Sequence, residues 1–282
     1  MHISEIRPFV RFARYFKTDC DSHYPEFVPV DARLFYVMSG EGAICLGQKQ
    51  FQMRKGSVLL IPPGQRYHLE TPEQQAVYLA LNFDYSFSAA DKSIPIPPEV
   101  FREGMEQPAG VEFEDSEQFD GFFYAEEFSK IENVLVKLVF EYTGRLMFFE
   151  EKASAYLLEV LSDCIREKNL RRSCPEGTNF RIHDVIAYLQ EHFAENITNK
   201  TLSEQFHFHP NYLSSMVKLY TGMPLHSYLL HVRIANAIDL LETTSLPIGE
   251  ISAAVGFYDH SYFTKYFKRL TGNTPNHFRQ TT

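Results

Sequence analysis

The sequence predicts an α+β protein of two domains, in which a β-barrel and a pair of helices precede an all-α domain. Three observations predict this fold class. Short apolar runs punctuated by Gly and Pro fill the first hundred residues, helical periodicity follows, and a pattern near the C-terminus recurs at a spacing of 50 residues. At 282 residues the chain can form two domains that each bury a core. We place these domains at residues 1–170 and 180–282, joined by a linker at 171–179.

The first hundred residues are typical of a small barrel or sandwich. Apolar runs at 34–38, 43–46, 57–61 and 76–83 predict strands, because Gly-rich or Pro-rich turns separate them. Residues 93–98 are predicted to be an extended connector, since their three prolines remove backbone donors that a strand or helix needs.

Two segments after this connector carry apolar residues at helical spacing. Residues 126–149 and 152–168 predict an antiparallel helix pair. Their apolar faces fit two roles equally well, because such a stripe can pack on the barrel or form a subunit interface. The sequence leaves both roles open.

The C-terminal repeat predicts two helix-turn-helix units. Tyr212-Leu213 recurs as Tyr262-Phe263, and Thr221-Gly222 recurs as Thr271-Gly272. The apolar positions predicted to be buried are Leu213, Met216, Val217 and Tyr220 in one unit and Phe263, Tyr266, Phe267 and Leu270 in the other. The helix predicted over 225–243 spans roughly 28 Å, close to the roughly 34 Å of one turn of duplex DNA. DNA binding is therefore the first hypothesis, and an all-helical protein-interaction bundle is the alternative.

The polar side chains opposite the buried positions are the candidate DNA-binding residues. They are Asn211, Ser214, Ser215 and Lys218 in the first unit and Asp259, His260, Ser261, Thr264, Lys265 and Lys268 in the second. Side chains of these types read the donor and acceptor pattern of base edges, and lysines also bind phosphates. Because Ser214 and Ser215 are short, we expect the first unit to contribute less direct base readout than the second.

Charge is distributed unevenly along the chain. The formal net charge is −9, and residues 1–177 hold all of the excess, with 19 basic against 28 acidic residues. Residues 178–282 hold 8 of each sign. A neutral domain predicts modest phosphate affinity unless a second subunit adds its own contacts.

Other features of the sequence restrict the cellular location and the chemistry of the protein. A run of 18 apolar residues is absent, and the first five residues lack a secretory pattern, so we expect a cytoplasmic protein with no membrane partner. Its four cysteines, Cys20, Cys45, Cys164 and Cys174, form no Cys-x-x-Cys pair. We therefore expect buried or idle thiols and no cofactor.

The last hundred residues resemble the AraC/XylS family of bacterial transcription regulators. The resemblance is carried by residues 233–241, 248–257, 261–268, 271–275 and 278–279. At Ser252-Ala253 the sequence departs from the family, which usually has alanine first. The resemblance implies sequence-specific DNA binding by two helix-turn-helix subdomains, with activation as the commoner outcome and RNA polymerase as a further partner.

The first hundred residues resemble the cupin-type sensor barrel of such regulators. This resemblance is carried by residues 40–42, residues 55–64 and His68. It implies a small effector, often a sugar, inside the barrel, and the candidate lining residues are His23, Tyr36, His68, Tyr78 and Asn82. Only His23 and His68 could serve as cupin metal ligands, and they lack the paired spacing. We therefore expect neither a metal site nor catalytic residues.

The resulting prediction is a homodimeric, effector-responsive DNA-binding regulator, paired through the central helices and not an enzyme. A second subunit doubles the number of recognition helices and so supplies affinity. Two other functions remain open. One is a cupin-type enzyme with a helical appendage, and the other is a constitutive regulator whose barrel only mediates assembly.

Overall fold

A computed structural model describes residues 1–18, 24–70, 74–87, 99–104, 108, 110–114, 119–173 and 182–281. The chain divides into two compact units, Met1–Lys168 and Asn169–Thr282. The first unit is built mainly from strands and the second from helices, so the predicted α+β class is confirmed. The predicted connector at 93–98 lies outside the described residues, as do Cys20, Cys174 and most of the predicted linker.

The described residues of the first unit form three antiparallel sheets. Its strands are β1 (Phe9–Lys17), β2 (Phe27–Val28), β3 (Ala32–Ser39), β4 (Glu41–Leu46), β5 (Lys49–Arg54), β6 (Val58–Ile61), β7 (His68–Leu69), β8 (Val77–Asp84), β9 (Glu99–Val100) and β10 (Phe123–Ala125). Five strands form one sheet in the order β1-β8-β3-β6-β10, three form a second in the order β5-β4-β7, and β2 pairs with β9. The four strands predicted from apolar runs are confirmed as β3, β4, β6 and β8.

The large sheet is buried on both faces, which explains why β3 and β8 are almost continuously apolar. One face carries Phe35, Tyr78 and Ala80 and packs with Ile44 and Phe51 of the small sheet, which forms the barrel interior. The strands of the small sheet are partly exposed, so β5 alternates between buried and exposed residues.

Two helices cover the other face of the large sheet. They are α1 (Glu132–Gly144) and α2 (Phe149–Ser173). Leu135 and Leu138 of α1 and Leu157 and Val160 of α2 lie in one apolar core with the outward face of β3 and β8. Packing on the barrel therefore accounts for the inner faces of both helices. The first helix begins six residues later than residue 126, because a 3₁₀ turn at Ser129–Ile131 precedes it.

The second unit is all helical. Its helices are α3 (Ile182–Glu191), α4 (Asn199–Phe206), α5 (Pro210–Thr221), α6 (Leu225–Thr243), α7 (Ile248–Ala254), α8 (His260–Thr271) and α9 (Pro275–Thr281). Helices α4 and α5 form the first predicted helix-turn-helix unit, α7 and α8 form the second, and α6 has the bounds predicted from the sequence.

Two apolar cores hold these helices, and α6 contributes to both. Leu225 and Leu229 lie in the core of the first helix-turn-helix unit, whereas Ile234 and Leu241 lie in the core of the second helix-turn-helix unit. The predicted buried stripes are confirmed except at Tyr220, which is half-buried, and at Leu270, whose side chain is exposed near the last turn of α8.

The helix ends follow the local sequence. Pro210 occupies the first turn of α5, where its missing N–H removes no hydrogen bond. Both α5 and α8 end at a glycine in the left-handed region, Gly222 at φ 76° and Gly272 at φ 81°. Among the described residues, no helix combines the length and apolar character needed to cross a membrane.

Candidate nucleic-acid interface

Helix α5 presents a polar face that begins at a histidine cap. The Asn211 N–H donates to Nδ1 of His209 at 3.3 Å, which satisfies one of the free donors at the helix start. Asn211, Ser215 and Lys218 are exposed, whereas Ser214 is half-buried. The Ser215 hydroxyl donates to the Asn211 carbonyl at 2.9 Å, so part of its hydrogen-bonding capacity is used within the helix.

Helix α8 presents a larger and more basic face. Its exposed residues are His260, Ser261, Lys265 and Lys268, and Thr264 is half-buried. Asp259 caps the helix, because its carboxylate accepts the N–H groups of Ser261 at 2.7 Å and Tyr262 at 3.1 Å. A carboxylate at this point occupies donors that could otherwise bind a phosphate, so Asp259 fits a capping role better than a phosphate contact.

Two exposed residues, one just before α8 and one in its last turn, were not predicted from the sequence. Tyr258, at 86% exposure, precedes the cap of α8, and an aromatic ring there can stack or pack against a sugar-phosphate backbone. Arg269 lies over the ring of Tyr266 at 4.2 Å and adds a third positive charge to Lys265 and Lys268. The aromatic pair Phe257-Tyr258 directly before the cap was the available sequence signal for Tyr258.

A buried arginine connects the long helix α6 to the turn between α3 and α4. Arg233 of α6 donates through Nε to the Phe193 carbonyl at 2.7 Å and through a terminal nitrogen to the Glu195 carbonyl at 2.8 Å. Burial lowers the pKa of this guanidinium below its ordinary value. The guanidinium also lies 5.8 Å from the ring centroid of Phe257. One side chain therefore links α6, the turn at 193–195 and the second helix-turn-helix unit.

Gly256 brings the second unit against the same turn. A Cβ atom at this position would lie 2.5 Å from the Ala194 carbonyl oxygen, and the glycine has φ +85°. Arg233 and Gly256 therefore hold α6 and the second helix-turn-helix unit against one shared turn at residues 193–195. Within the helical part of the chain, residues 182–281, packing rather than a flexible connection therefore fixes the positions of α5 and α8.

The structure separates the predicted effector-binding residues. His23 lies outside the described residues. Tyr36 packs in the core beneath the helices, where its hydroxyl donates to Glu132 of α1 at 2.8 Å. The neighbour of His68, Leu69, packs in the barrel interior, so alternation places His68 on the outer face of the small sheet. Tyr78 lies in the interior core, and Asn82 shares its strand parity.

Inside the barrel, aromatic side chains lie near a buried group of charges. Phe35 contacts Tyr67 and Tyr78 through ring centroid distances of 5.6 and 6.4 Å. Burial raises the pKa of both tyrosines to about 12, which keeps their hydroxyls protonated at neutral pH. Arg33 is the cross-strand neighbour of Asn82, and it pairs with fully buried Asp31 at 2.8 Å.

A second ion pair lies near the first. Arg11 pairs with Asp84 at 2.5 Å, and the charges of both residues affect the Asp31 carboxyl. Burial raises the pKa of Asp31 to about 6, although the positive charge of Arg33 opposes this shift. The interior thus offers aromatic faces, phenolic hydroxyls and fixed charges, a combination suited to a small polar molecule.

Known proteins match both units of the chain. Residues 202–281 match the family model of a helix-turn-helix domain, and residues 27–82 match that of a cupin domain. The uncharacterized HTH-type transcriptional regulator YisR of Bacillus subtilis is 26% identical over 88% of this chain and 85% of its own length. The arabinose operon regulatory protein of Salmonella typhimurium is 26% identical over 85% of this chain and 80% of its own length. The C-terminal domain of AraT, a response regulator from Geobacillus stearothermophilus, is 34% identical over 36% of this chain and 84% of that domain, with a TM-score of 0.35.

The chain therefore carries an N-terminal cupin domain and a C-terminal helix-turn-helix domain of the AraC type, and its homologues are AraC-family regulators. These similarities support DNA-binding transcription regulation as the function of this chain, and the relatives named above are themselves regulators. The helix-turn-helix match extends from α4 to α9 and so covers both units of this AraC-family domain. The cupin match covers β2 to β8 and leaves α1 and α2 outside it.

Proposed function

We propose that this protein controls transcription by inserting α5 and α8 into two successive major-groove segments, in response to a small effector. The observation that carries this proposal is the pair of capped helices with polar or basic outer faces, both held to α6 through buried cores. Helix α6 has 19 residues. Its length of roughly 28 Å at 1.5 Å per residue is close to the roughly 34 Å spacing of successive major-groove segments.

DNA binding is tested with the full chain and DNA from upstream of its own and neighbouring genes. Fluorescence anisotropy at several salt concentrations should show specific binding that weakens as salt rises, because lysine contacts release counterions from phosphates. A panel of sugars is then added at fixed salt. A sugar that changes the affinity would identify the effector. Equal affinity for all DNA fragments, with and without sugars, would contradict the proposal.

The proposed effector is a sugar bound among the aromatic and polar groups of the barrel interior. The similarity to an arabinose operon regulatory protein supports this choice, and so do the two interior tyrosines Tyr67 and Tyr78, the first of which lies close enough to Arg33 to feel its charge. Aromatic faces pack against the apolar side of a sugar ring, whereas fixed donors and acceptors orient its hydroxyls. Tyr36 and His68 do not lie with this group, so we leave them out of the proposed pocket.

A matched pair of variants tests this pocket. Tyr78→Phe and Tyr36→Phe each remove one buried phenolic hydroxyl, but only Tyr78 belongs to the interior core. Calorimetry with the effector found in the panel should show roughly ten-fold weaker binding for Tyr78→Phe and unchanged binding for Tyr36→Phe. Equal loss in both variants, or loss only in Tyr36→Phe, would exclude the interior as the binding site.

The proposed homodimer forms through an apolar surface at the end of α1, defined by Val136, Phe140, Leu146, Met147 and Phe148. Phe140 is 66% exposed and Met147 is 82% exposed. Clustered exposed apolar side chains of this size are typical of a protein interface. A dimer would bring four recognition helices to DNA, which compensates for the neutral charge of residues 178–282.

Sedimentation velocity tests this interface. Phe140→Asp should convert the dimer to a monomer, because burying an unpaired carboxylate is costly. Val100→Asp provides the control, since Val100 is an exposed apolar residue on β9, outside this surface. Dimers of both variants would remove this surface from the proposed interface.

The proposed outcome at the promoter is activation, through contact with RNA polymerase. The family resemblance favours activation, and an effector-dependent change in how two subunits present their helices would alter the preferred half-site spacing. A promoter fusion in cells with and without the gene tests the direction. Lower expression in the presence of the gene would show repression. Equal DNA affinity with every effector tried would favour the constitutive regulator, and turnover of a small substrate would favour the enzyme.

A further inference from the structure

A row of polar side chains crosses the small sheet on its outer face. Gln50 of β5 pairs across the strands with Cys45 of β4, and Cys45 pairs with His68 of β7. The alternate residues Ile44 and Leu69 pack in the barrel interior. Because successive side chains on a strand point to opposite faces, Cys45 and His68 face away from that interior.

Glu70 completes the group at the end of β7. Its backbone N–H donates to the Ala43 carbonyl at 3.0 Å, which continues the pairing of β7 with β4. Cys45 Sγ lies 3.4 Å from one carboxylate oxygen of Glu70, and the Gln50 side-chain amide donates to the other at 2.6 Å. One potential ligand atom from each of Cys45, His68 and Glu70 lies within 4.8 Å of the other two.

These three donors suit a particular class of metal ion. A thiolate, an imidazole and a carboxylate are the ligands that Zn²⁺ and chemically similar ions bind, whereas Mg²⁺ and Ca²⁺ prefer oxygen ligands alone. Zinc bonds of about 2.0–2.3 Å place tetrahedral ligands roughly 3.3–3.8 Å apart. The Sγ–carboxylate distance of 3.4 Å already falls in this range. Three protein ligands leave a fourth position for water.

We propose that Cys45, His68 and Glu70 bind a zinc-class divalent cation on the outer face of the barrel. The thiol releases its proton to solvent as the sulfur–metal bond forms. The bound ion joins β4 to β7, a strand of two residues, and stabilises that edge of the sheet. This site differs from a metal site inside the barrel, because Tyr67, the residue before His68, packs in the interior core.

The proposal changes our sequence-based expectation of no metal and of an idle Cys45. That expectation rested on Cys-x-x-Cys spacing and on ligands inside the barrel. Neither criterion detects ligands brought together by cross-strand pairing. Metal binding also gives His68 a role that differs from the sugar contact expected from the sequence.

Cobalt titration of the full chain, stripped of metal with a chelator, tests the site. Cobalt(II) bound to a thiolate shows charge-transfer absorption, and tetrahedral cobalt(II) shows intense visible bands. We expect saturation at one equivalent and displacement by Zn²⁺. Cys45→Ser should lose the charge-transfer band, and His68→Gln should weaken binding at least about ten-fold. Cys164→Ser is the control, because Cys164 is a free cysteine buried in the core beneath the helices.

Two results would overturn the proposal. One is the absence of a saturable cobalt spectrum in the wild-type chain. The other is a full charge-transfer band in Cys45→Ser. Thermal unfolding provides a second measurement, in which one equivalent of Zn²⁺ should raise the Tm of the wild type and leave that of Cys45→Ser unchanged. The cobalt titration of the wild-type chain needs no substitution. Its result therefore decides the test even if one of the variants fails to fold.

Discussion

Replacing Gly256 with alanine should destabilise the second helix-turn-helix unit far more than the same change at another glycine that has a left-handed backbone conformation. A Cβ atom at residue 256 would lie 2.5 Å from the Ala194 carbonyl oxygen and 2.8 Å from two further Ala194 backbone atoms. The left-handed conformation costs a residue with a side chain roughly 1–2 kcal/mol. Forcing the two backbone segments apart adds roughly 1–3 kcal/mol. We therefore expect Gly256→Ala to lower the free energy of unfolding by about 2–5 kcal/mol.

Gly272→Ala provides the matched control. Gly272 has φ +81°, close to the +85° of Gly256, and a Cβ there would meet nothing within 4 Å. Its expected loss is therefore only the conformational cost of roughly 1–2 kcal/mol. Urea unfolding monitored by circular dichroism gives both values. Equal losses in the two variants would refute the argument, because the approach to Ala194 would then contribute nothing. Gly256→Ala should also weaken DNA binding, since the shared turn positions the second unit.

Three further predictions concern the buried arginine, the recognition helices and pH. Arg233→Met should lower the free energy of unfolding by roughly 1.5–3 kcal/mol, because two backbone carbonyls lose a charged donor. Urea unfolding measures this loss, and an unchanged value would show that water replaces both hydrogen bonds. Lys265→Ala should weaken specific DNA binding by roughly 1–3 kcal/mol, whereas Ser214→Ala should change it little, and comparable losses in anisotropy titrations would contradict unequal roles for the two units. The folded pKa of Asp31 is about 6 and lies above its ordinary value of 3.8, so the folded state binds this proton more tightly. Its contribution to the free energy of unfolding should therefore rise as pH falls through about 6, and Asp31→Asn should remove roughly 1–1.5 kcal/mol of that increase between about pH 8 and about pH 5. Parallel pH profiles for the wild type and Asp31→Asn would refute this assignment.

The sequence predicted well those elements whose local signals agreed. The bounds of α6 matched because its apolar periodicity is flanked by Pro224 and by the extended residue Thr244. The start of α5 matched because proline is favoured in the first turn of a helix. Leu270 was wrongly predicted to be buried, because periodicity continues to the end of α8 although the packed core does not.

The residues that face the barrel interior, where we propose the effector binds, were harder to predict because β3 and β8 are buried on both faces. In such strands the apolar pattern does not show which side faces the barrel interior. Tyr36 and Tyr78 therefore carry the same sequence signal, yet they lie on opposite faces of one sheet. His68 was misplaced for a related reason, since a shift of one residue exchanges the two faces of a strand. The group at Cys45 depends on pairing between distant strands, which no local pattern encodes.

The sharing of α6 between two apolar cores has a consequence for how this domain can evolve. Neither helix-turn-helix unit keeps a complete core without that helix, so deletion of one unit exposes half of the apolar surface of α6. Recombination that exchanges a single unit between relatives must therefore carry along a compatible half of α6. A new DNA specificity is more easily acquired by substitutions on the outer faces of α5 and α8, because these leave both cores intact. We therefore expect the internal repeat to be inherited as one piece, while the outer faces of its two halves diverge independently.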